Sequence, residues 1–401
     1  MSALDSAAVF LALALPVSIA GVNIAAATLS AALLWRAAAG GAVPWKRAVS
    51  PPAVALWIYF GAALFVSYTA LNPSRVYGEL QRDFHKVWIV TLLALSLPLV
   101  RTRRIPQALA AAFAFTAAFG IFQALTMTYG DEPEIMRVRA HAFVHAVTYG
   151  QQMALAILGI LCFWRKPEAG ADGPRGLGAT LVLLALCLGA MLLSQTRGAL
   201  VALAGGFGAL CLVSRPHRRL IPLAIAGAAA GAFAMERLVS KWRSFFTAIT
   251  LTGIDQGDNG LNPNFHRFIL WKTALRMFQD RPVFGLGPGN FHTSFINYFR
   301  GKVDGEWIWN SAHNLYLHHL AERGLVGAAA LLIVIVVFTG RSWRRARRDP
   351  SPWNLWAFSA WGAFWVMNLT EVSFQVEILM TLMLFIELTA DAVDEGQARK
   401  N

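Results

Sequence analysis

The chain has 401 residues, 56% of them hydrophobic and 14% charged, with 35 Lys and Arg against 22 Asp and Glu for a net charge of +13. A soluble protein of this size carries about a quarter of its residues as charges, so the composition excludes a disordered, collagen-like or ordinary cytosolic enzyme class and points to a membrane. The basic excess has two readings, a nucleic-acid partner or cytoplasmic Lys and Arg beside membrane spans, and the placement of the charges decides between them.

Uncharged runs bounded by charge, Pro or Gly predict twelve spans, near 7–20, 22–35, 53–71, 87–100, 107–127, 147–164, 177–194, 198–214, 219–234, 313–340, 353–370 and 373–390. The first run follows Asp5 and has no Lys or Arg before it. It therefore lacks the basic start of a secretory signal and is taken as a span. Gly21 alone separates it from the second. With the N-terminus in the cytoplasm, nineteen basic residues fall inside: Arg36, Lys46, Arg47, Arg101, Arg103, Arg104, Arg165, Lys166, Arg175, Arg215, Arg218, Arg219, Arg341, Arg344, Arg345, Arg347, Arg348, Arg399 and Lys400. The short outer linkers hold six, namely Arg75, Arg82, Lys86, Arg137, Arg139 and Arg197. That bias sets both termini in the cytoplasm and attributes most of the positive charge to topology, without nucleic acid. Cys162, Cys187 and Cys211 lie in apolar runs and read as small buried hydrophobes.

The expected architecture is an all-α polytopic membrane protein of about twelve transmembrane helices with one long outer helical loop. Residues 1–234 hold the first nine spans, 235–312 the loop, and 313–401 the last three spans and a tail, as one integrated domain. Within the loop, Phe265, Phe268, Ile269, Leu275 and Phe278 recur at helical spacing after Asn262 and Asn264, which can cap a helix. Trp242, Phe245, Phe246 and Ile249 form a second amphipathic stretch. Such helices lie on the outer membrane surface or lid the bundle.

Several polar residues sit at the outer ends of spans. Arg197, in Ser-Gln-Thr-Arg-Gly (194–198), is either an interfacial arginine snorkelling to headgroups or an anion clamp facing a cavity. Arg267, four residues before Trp271, is either part of a solvated basic face or a second guanidinium aimed at phosphate. Gly285-Leu-Gly-Pro-Gly-Asn290 has neither Walker nor dinucleotide spacing, and reads as a tight turn more readily than as a nest of amides for an anion. His313 enters the bundle at its outer rim and is a proton-transfer candidate, or a structural histidine. His318 and His319 stand five and six positions further on, on other helical faces, which argues against a shared metal. Asp255, Asp258 and Asn259 lack the calcium-loop pattern. Glu371 is placed to pair with an outer-face arginine. Glu79 and Asp83, near Arg75 and Arg82, read as local surface pairs of little energy. Trp307 and Trp309 have the chemistry to stack on sugar rings.

His-Asn-Leu-Tyr-Leu…Ala-Glu-Arg-Gly-Leu-Val-Gly (313–327) resembles the signature segment of bacterial O-antigen ligases and their polymerase relatives. So do Arg-Pro-Val-Phe-Gly-Leu-Gly-Pro-Gly-Asn-Phe (281–291) and Ser-Gln-Thr-Arg-Gly (194–198), and the three together span about 130 residues. The resemblance implies a membrane glycosyltransferase of the C-type architecture in the bacterial inner membrane, with its active site facing the periplasm. It implies a polysaccharide donor on undecaprenyl diphosphate and a lipid A–core sugar hydroxyl as acceptor. The family's essential histidine maps onto His313 and its essential arginines onto Arg197 and Arg267. Arg137, Arg139, Trp307, Trp309, Asn314 and Tyr316 are candidate contacts to donor or acceptor. No metal or other cofactor is expected, because fixed arginines can stabilise the departing diphosphate. Direct displacement, with a neutral His313 taking the hydroxyl proton, inverts the anomeric centre. Polymerase and protein O-oligosaccharyltransferase activities on the same donor are the alternatives. Relatives that glycosylate protein look longer at the C-terminal end, which favours ligase. A solute transporter is the rival from another class, disfavoured because the polar candidates cluster at one rim.

Overall fold

A computed structural model of the chain describes residues 2–126, 139–164, 176–223, 225, 263–299 and 309–398. Among these the regular structure is helical throughout, with no strand. The α-helices are α1 (Ala3–Ala14), α2 (Ile19–Ala38), α3 (Pro51–Ser67), α4 (Val76–Ser96), α5 (Ile105–Thr126), α6 (Ala146–Phe163) and α7 (Leu177–Leu193). They continue with α8 (Arg197–Val213), α9 (Arg215–Arg218), α10 (Pro263–Asp280), α11 (Phe291–Tyr298), α12 (Leu315–Arg348), α13 (Pro352–Met367) and α14 (Glu377–Ala398). Four of them, α2, α5, α6 and α12, are long and apolar enough to cross a membrane, and α1, α3, α7 and α8 are shorter apolar helices. Large apolar side chains such as Trp35, Tyr68 and Leu125 face outward from the bundle. A water-soluble surface does not carry so many, and the chain is a multi-pass membrane protein.

Backbone chemistry sets several helix limits away from the sequence expectation. The first two helices part at Leu15–Ser18, not at Gly21, because Pro16 interrupts the ladder and the Ser18 hydroxyl accepts from Gly21 N–H to cap α2. Helix α4 begins at Val76, well before the expected span, so Glu79, Asp83 and Lys86 belong to a helix and not to a linker. The expected ninth span, 219–234, the Trp242–Ile249 stretch, and Asp255, Asp258 and Asn259 lie outside the described residues except for 219–223 and 225.

Small residues let the central helices approach closely, as expected where lipid tails remove the hydrophobic drive between helices. Along α8 and α13 a Cβ at Gly206 would stand 2.8 Å from Ser359 O and 2.9 Å from Ala363 Cβ, and one at Gly362 would stand 2.7 Å from Ala209 Cβ. Toward the other end of α12, Arg345 meets Glu387 at 2.7 Å and Asp391 at 2.6 Å on α14. Trp361 Nε1–H donates to the same Glu387 at 3.1 Å.

A second buried charge cluster lies between α3, α4 and α12. Asp83 is fully buried and accepts from Arg323 at 2.6 Å and from Lys86 at 2.7 Å. Asp83 is therefore not the surface pair expected from sequence, since its partner Arg323 is 240 positions away in the chain. Glu79 does pair locally with Arg82, which is half exposed. Lys86 also donates to Gln375 Oε1 at 2.8 Å, reaching the loop between α13 and α14. Beside this cluster, His319 Nδ1 lies 3.0 Å from Leu315 O, a group that can only accept, so Nδ1 carries the proton and the neutral ring's Nε2 accepts from Tyr59 O–H at 2.7 Å.

Helices α10 and α11 pack on the start of α12 around Leu270, Ala274, Met277, Phe291, Phe295 and Ala321. The expected amphipathic helix is thus present, but its buried stripe is Leu270–Ala274–Met277, while Phe268 and Leu275 are exposed. The face is chosen by the neighbouring α11 and α12, which the periodicity of one segment does not reveal.

Candidate active site

Helix α12 starts in a strained turn. His313 has φ +46°, a left-handed conformation that histidine tolerates better than most side chains but still at a cost. The turn is held on both sides. Asn314 caps α12 by accepting from Leu317 N–H at 3.0 Å, and its amide donates to Leu369 O at 3.0 Å. Leu315 N–H donates to Asn368 O at 2.9 Å, and Tyr316 O–H donates to Trp365 O at 2.8 Å. These bonds dock the His313 turn onto the end of α13 and the loop beyond it, the loop that carries Glu371.

Glu371 joins two of the sequence candidates. One carboxylate oxygen lies 3.0 Å from His313 Nδ1 and the other 3.2 Å from an Arg267 nitrogen, with His313 34%, Arg267 26% and Glu371 16% exposed. Trp309 stands edge-on to the His313 ring at 5.9 Å.

Arg197 is the first residue of α8, half-buried and within the electrostatic field of Arg267. Gly198 beside it packs on Thr370, whose hydroxyl a Cβ would meet at 3.0 Å, so α8 begins against the Glu371 loop. Arg139 donates to Ser194 O at 2.8 Å and to Thr196 Oγ1 at 3.1 Å. Burial lowers the Arg139 guanidinium below the usual arginine value, and the nearby negative charge of Glu371 opposes that shift. Three arginines and the N-terminus of α8 therefore converge on a region where the described carboxylate is Glu371. Such an arrangement favours a further anion.

The glycine-rich loop does form a nest of amides, but the acceptor it holds is internal. Glu322, buried on α12, accepts from Gly289 N–H at 2.9 Å and from Phe291 N–H at 2.8 Å. Leu286 N–H donates to Ala321 O at 3.0 Å and Gly287 N–H to Glu322 O at 2.8 Å. The fit needs glycine: at Gly324 (φ +56°) a Cβ would stand 2.4 Å from Val283 O, and at Gly285 (φ +69°) one would stand 2.4 Å from the Glu322 carbonyl carbon. His318 faces Glu322 at 3.5 Å and His319 faces Tyr59, so these two rings and His313 meet three different partners.

Of the sequence candidates, the structure brings together Arg197, Arg267, His313 and Glu371, with Arg139 and Trp309 beside them, whereas Asn314 and Tyr316 turn to backbone carbonyls of the framework. Arg137 and Trp307 lie outside the described residues. The pairing of Glu371 with an arginine is the one expected from sequence, with Arg267 as the partner, whereas its second contact, to His313, has no local sequence signal. The Asp83–Lys86–Arg323 cluster and the Glu322 lock gave no local signal.

Residues 182–332 match the family model described as O-Antigen ligase, an interval that takes in Arg197, Arg267 and His313 and leaves out Arg139 and Glu371. A protein of Haemophilus influenzae whose description reads "Uncharacterized protein" is 33% identical over 72 residues, which is 18% of this chain and 18% of that relative. The chain thus carries, over residues 182–332, the family segment of the O-antigen ligase/polymerase superfamily.

Proposed function

We propose that the protein is an O-antigen ligase that transfers a polysaccharide from undecaprenyl diphosphate to a sugar hydroxyl of lipid A–core. In this reading it sits in the inner membrane with both termini in the cytoplasm and the His313 site toward the periplasm. The observation that carries the reading is the Glu371 bridge, which sets a histidine and a phosphate-binding type of side chain 3.0 and 3.2 Å from one carboxylate, with a second arginine alongside.

Each residue then has a chemical task. Glu371 accepts a hydrogen bond from His313 Nδ1–H, which fixes the ring and its tautomer and leaves Nε2 as the base. Nε2 takes the proton of the acceptor hydroxyl as its oxygen bonds to the donor's anomeric carbon. The bond from that carbon to phosphate breaks, and undecaprenyl diphosphate leaves with inversion at the anomeric centre. Arg197 and Arg267 meet the charge that grows on the diphosphate, the role often taken by a metal ion. The outward apolar faces of the bundle hold the polyprenyl chain. Trp309, beside His313, gives a sugar ring a surface to stack on.

The test supplies purified protein with undecaprenyl-diphosphate-linked glycan and either lipid A–core or a second donor molecule, in the presence of a chelator. Glycan on lipid A–core supports the ligase reading. Longer lipid-linked glycan and no lipid A–core product would overturn it in favour of a polymerase. Loss of all transfer on chelation, restored by a divalent metal, would overturn the metal-independent mechanism.

A further inference from the structure

We infer that Arg139 is a positioning residue, one that clamps the Ser194–Gln195–Thr196 turn and so fixes where Arg197 emerges. The inference rests on the diphosphate-binding reading of Arg197 and adds to it the means by which that side chain is aimed. Gln195, two positions before Arg197, has φ +52°, a conformation that a side chain disfavours and that surrounding contacts must hold. Arg139 brackets it: Nε–H donates to Ser194 O at 2.8 Å on one side, and the terminal NH2 group donates to Thr196 Oγ1 at 3.1 Å on the other. The two ends are tied further. Thr196 O–H donates to Ala146 O at 3.0 Å, and Ser194 O–H donates to Met191 O at 2.6 Å. The residue after Arg139 is bound to the same region, because Ala140 N–H donates to Leu193 O at 3.0 Å.

Helix α6 packs directly on this turn. A Cβ at Gly150 would stand 2.6 Å from Ser194 Oγ and 2.9 Å from Thr196 Cβ, so the turn has little room to settle elsewhere once the clamp is closed. Arg197 follows at once as the first helical residue of α8. A planar fork with donors on two edges can reach a carbonyl and a hydroxyl together, whereas a lysine offers a single point of attachment. The same guanidinium adds positive charge beside Glu371 without spending its hydrogen bonds there.

The test uses the full chain in lipid nanodiscs, with inorganic pyrophosphate as the binding probe and turnover of undecaprenyl-diphosphate glycan as the second readout. Arg139→Gln is expected to weaken pyrophosphate binding and raise the donor KM about tenfold, as expected for the loss of one charge-assisted anchor, with a smaller change in kcat. Arg139→Lys recovers little of this. A double variant with Arg197→Gln binds no worse than Arg197→Gln alone, because the clamp acts through Arg197. Thr196→Val reproduces part of the loss and Thr196→Ser restores it, which keeps the test open if Arg139→Gln fails to fold. Additive losses in the double variant, wild-type affinity in Arg139→Gln, or equal affinity of the two Thr196 variants would overturn the clamp while leaving the site reading intact. Wild-type pyrophosphate affinity in Arg197→Gln would overturn the diphosphate reading itself, and the clamp with it.

Discussion

His313 Nδ1 and Glu371 Oε2 lie 3.0 Å apart although 58 positions separate the residues in the chain. The other oxygen of the same carboxylate holds Arg267 at 3.2 Å. In the proposed mechanism one side chain thus orients the base and an anion-binding group together, and its loss should disturb both.

Glu371→Gln keeps the shape of the side chain and removes its charge. We expect kcat to fall by about 10²-fold or more, in the range of a lost general base, with little change in thermal stability. A Glu371→Gln protein that turns over normally would remove the carboxylate from the mechanism. His313→Ala should lose transfer by a similar factor at normal protein levels.

Arg267→Lys and Arg197→Lys retain charge but lose the two-oxygen fork. Each is expected to raise the donor KM by about 10-fold or more, the scale of one charge-assisted hydrogen bond. Steady-state kinetics with the lipid-linked donor varied will show it, and an unchanged KM in Arg197→Lys would return that residue to a headgroup role.

Lys86→Met breaks a pair at full burial, leaving Asp83 with one cation and Gln375 without its donor. Removing one partner of a buried ion pair costs about 3–5 kcal/mol, and denaturant unfolding in micelles measures it. Because Lys86 also holds Gln375, the Glu371 loop loses an anchor, and donor turnover should fall further than stability alone accounts for.

Gly324→Ala places a methyl against Val283 O at a backbone angle unsuited to a side chain. The combined clash and strain should destabilise by at least about 1–3 kcal/mol and release the segment 281–299 from α12. Limited proteolysis should then cut that segment faster, while the α8–α13 seam stays protected.

Much of the bundle was legible because a membrane span is a local property, a run of apolar residues that the bilayer selects by length. Many of the described helices lie within a few residues of the expected runs, and Arg197 and His313 stand out at span ends and Arg267 near the start of the loop's amphipathic helix. What the sequence hid was long-range pairing. Asp83 reads as a surface charge until Arg323 meets it from 240 positions away, and the glycine-rich loop reads as a plain turn although its amides hold Glu322. The face that α10 buries, Leu270–Ala274–Met277, is likewise set by α11 and α12 and not by its own periodicity.

The break at Gly324 divides α12 into two pieces with different allegiances. The part above, bearing Glu322 and Arg323, is bolted to the glycine-rich loop and to α4, and the part below runs on to the Arg345 cluster. A graft joined at Gly324 therefore keeps Glu322 with its amides and Arg323 with Asp83, and leaves the incoming half to supply the Glu371 side of the His313 turn. A junction at residue 313 would part Glu322 from its amides and deliver a roof without its hinge pin.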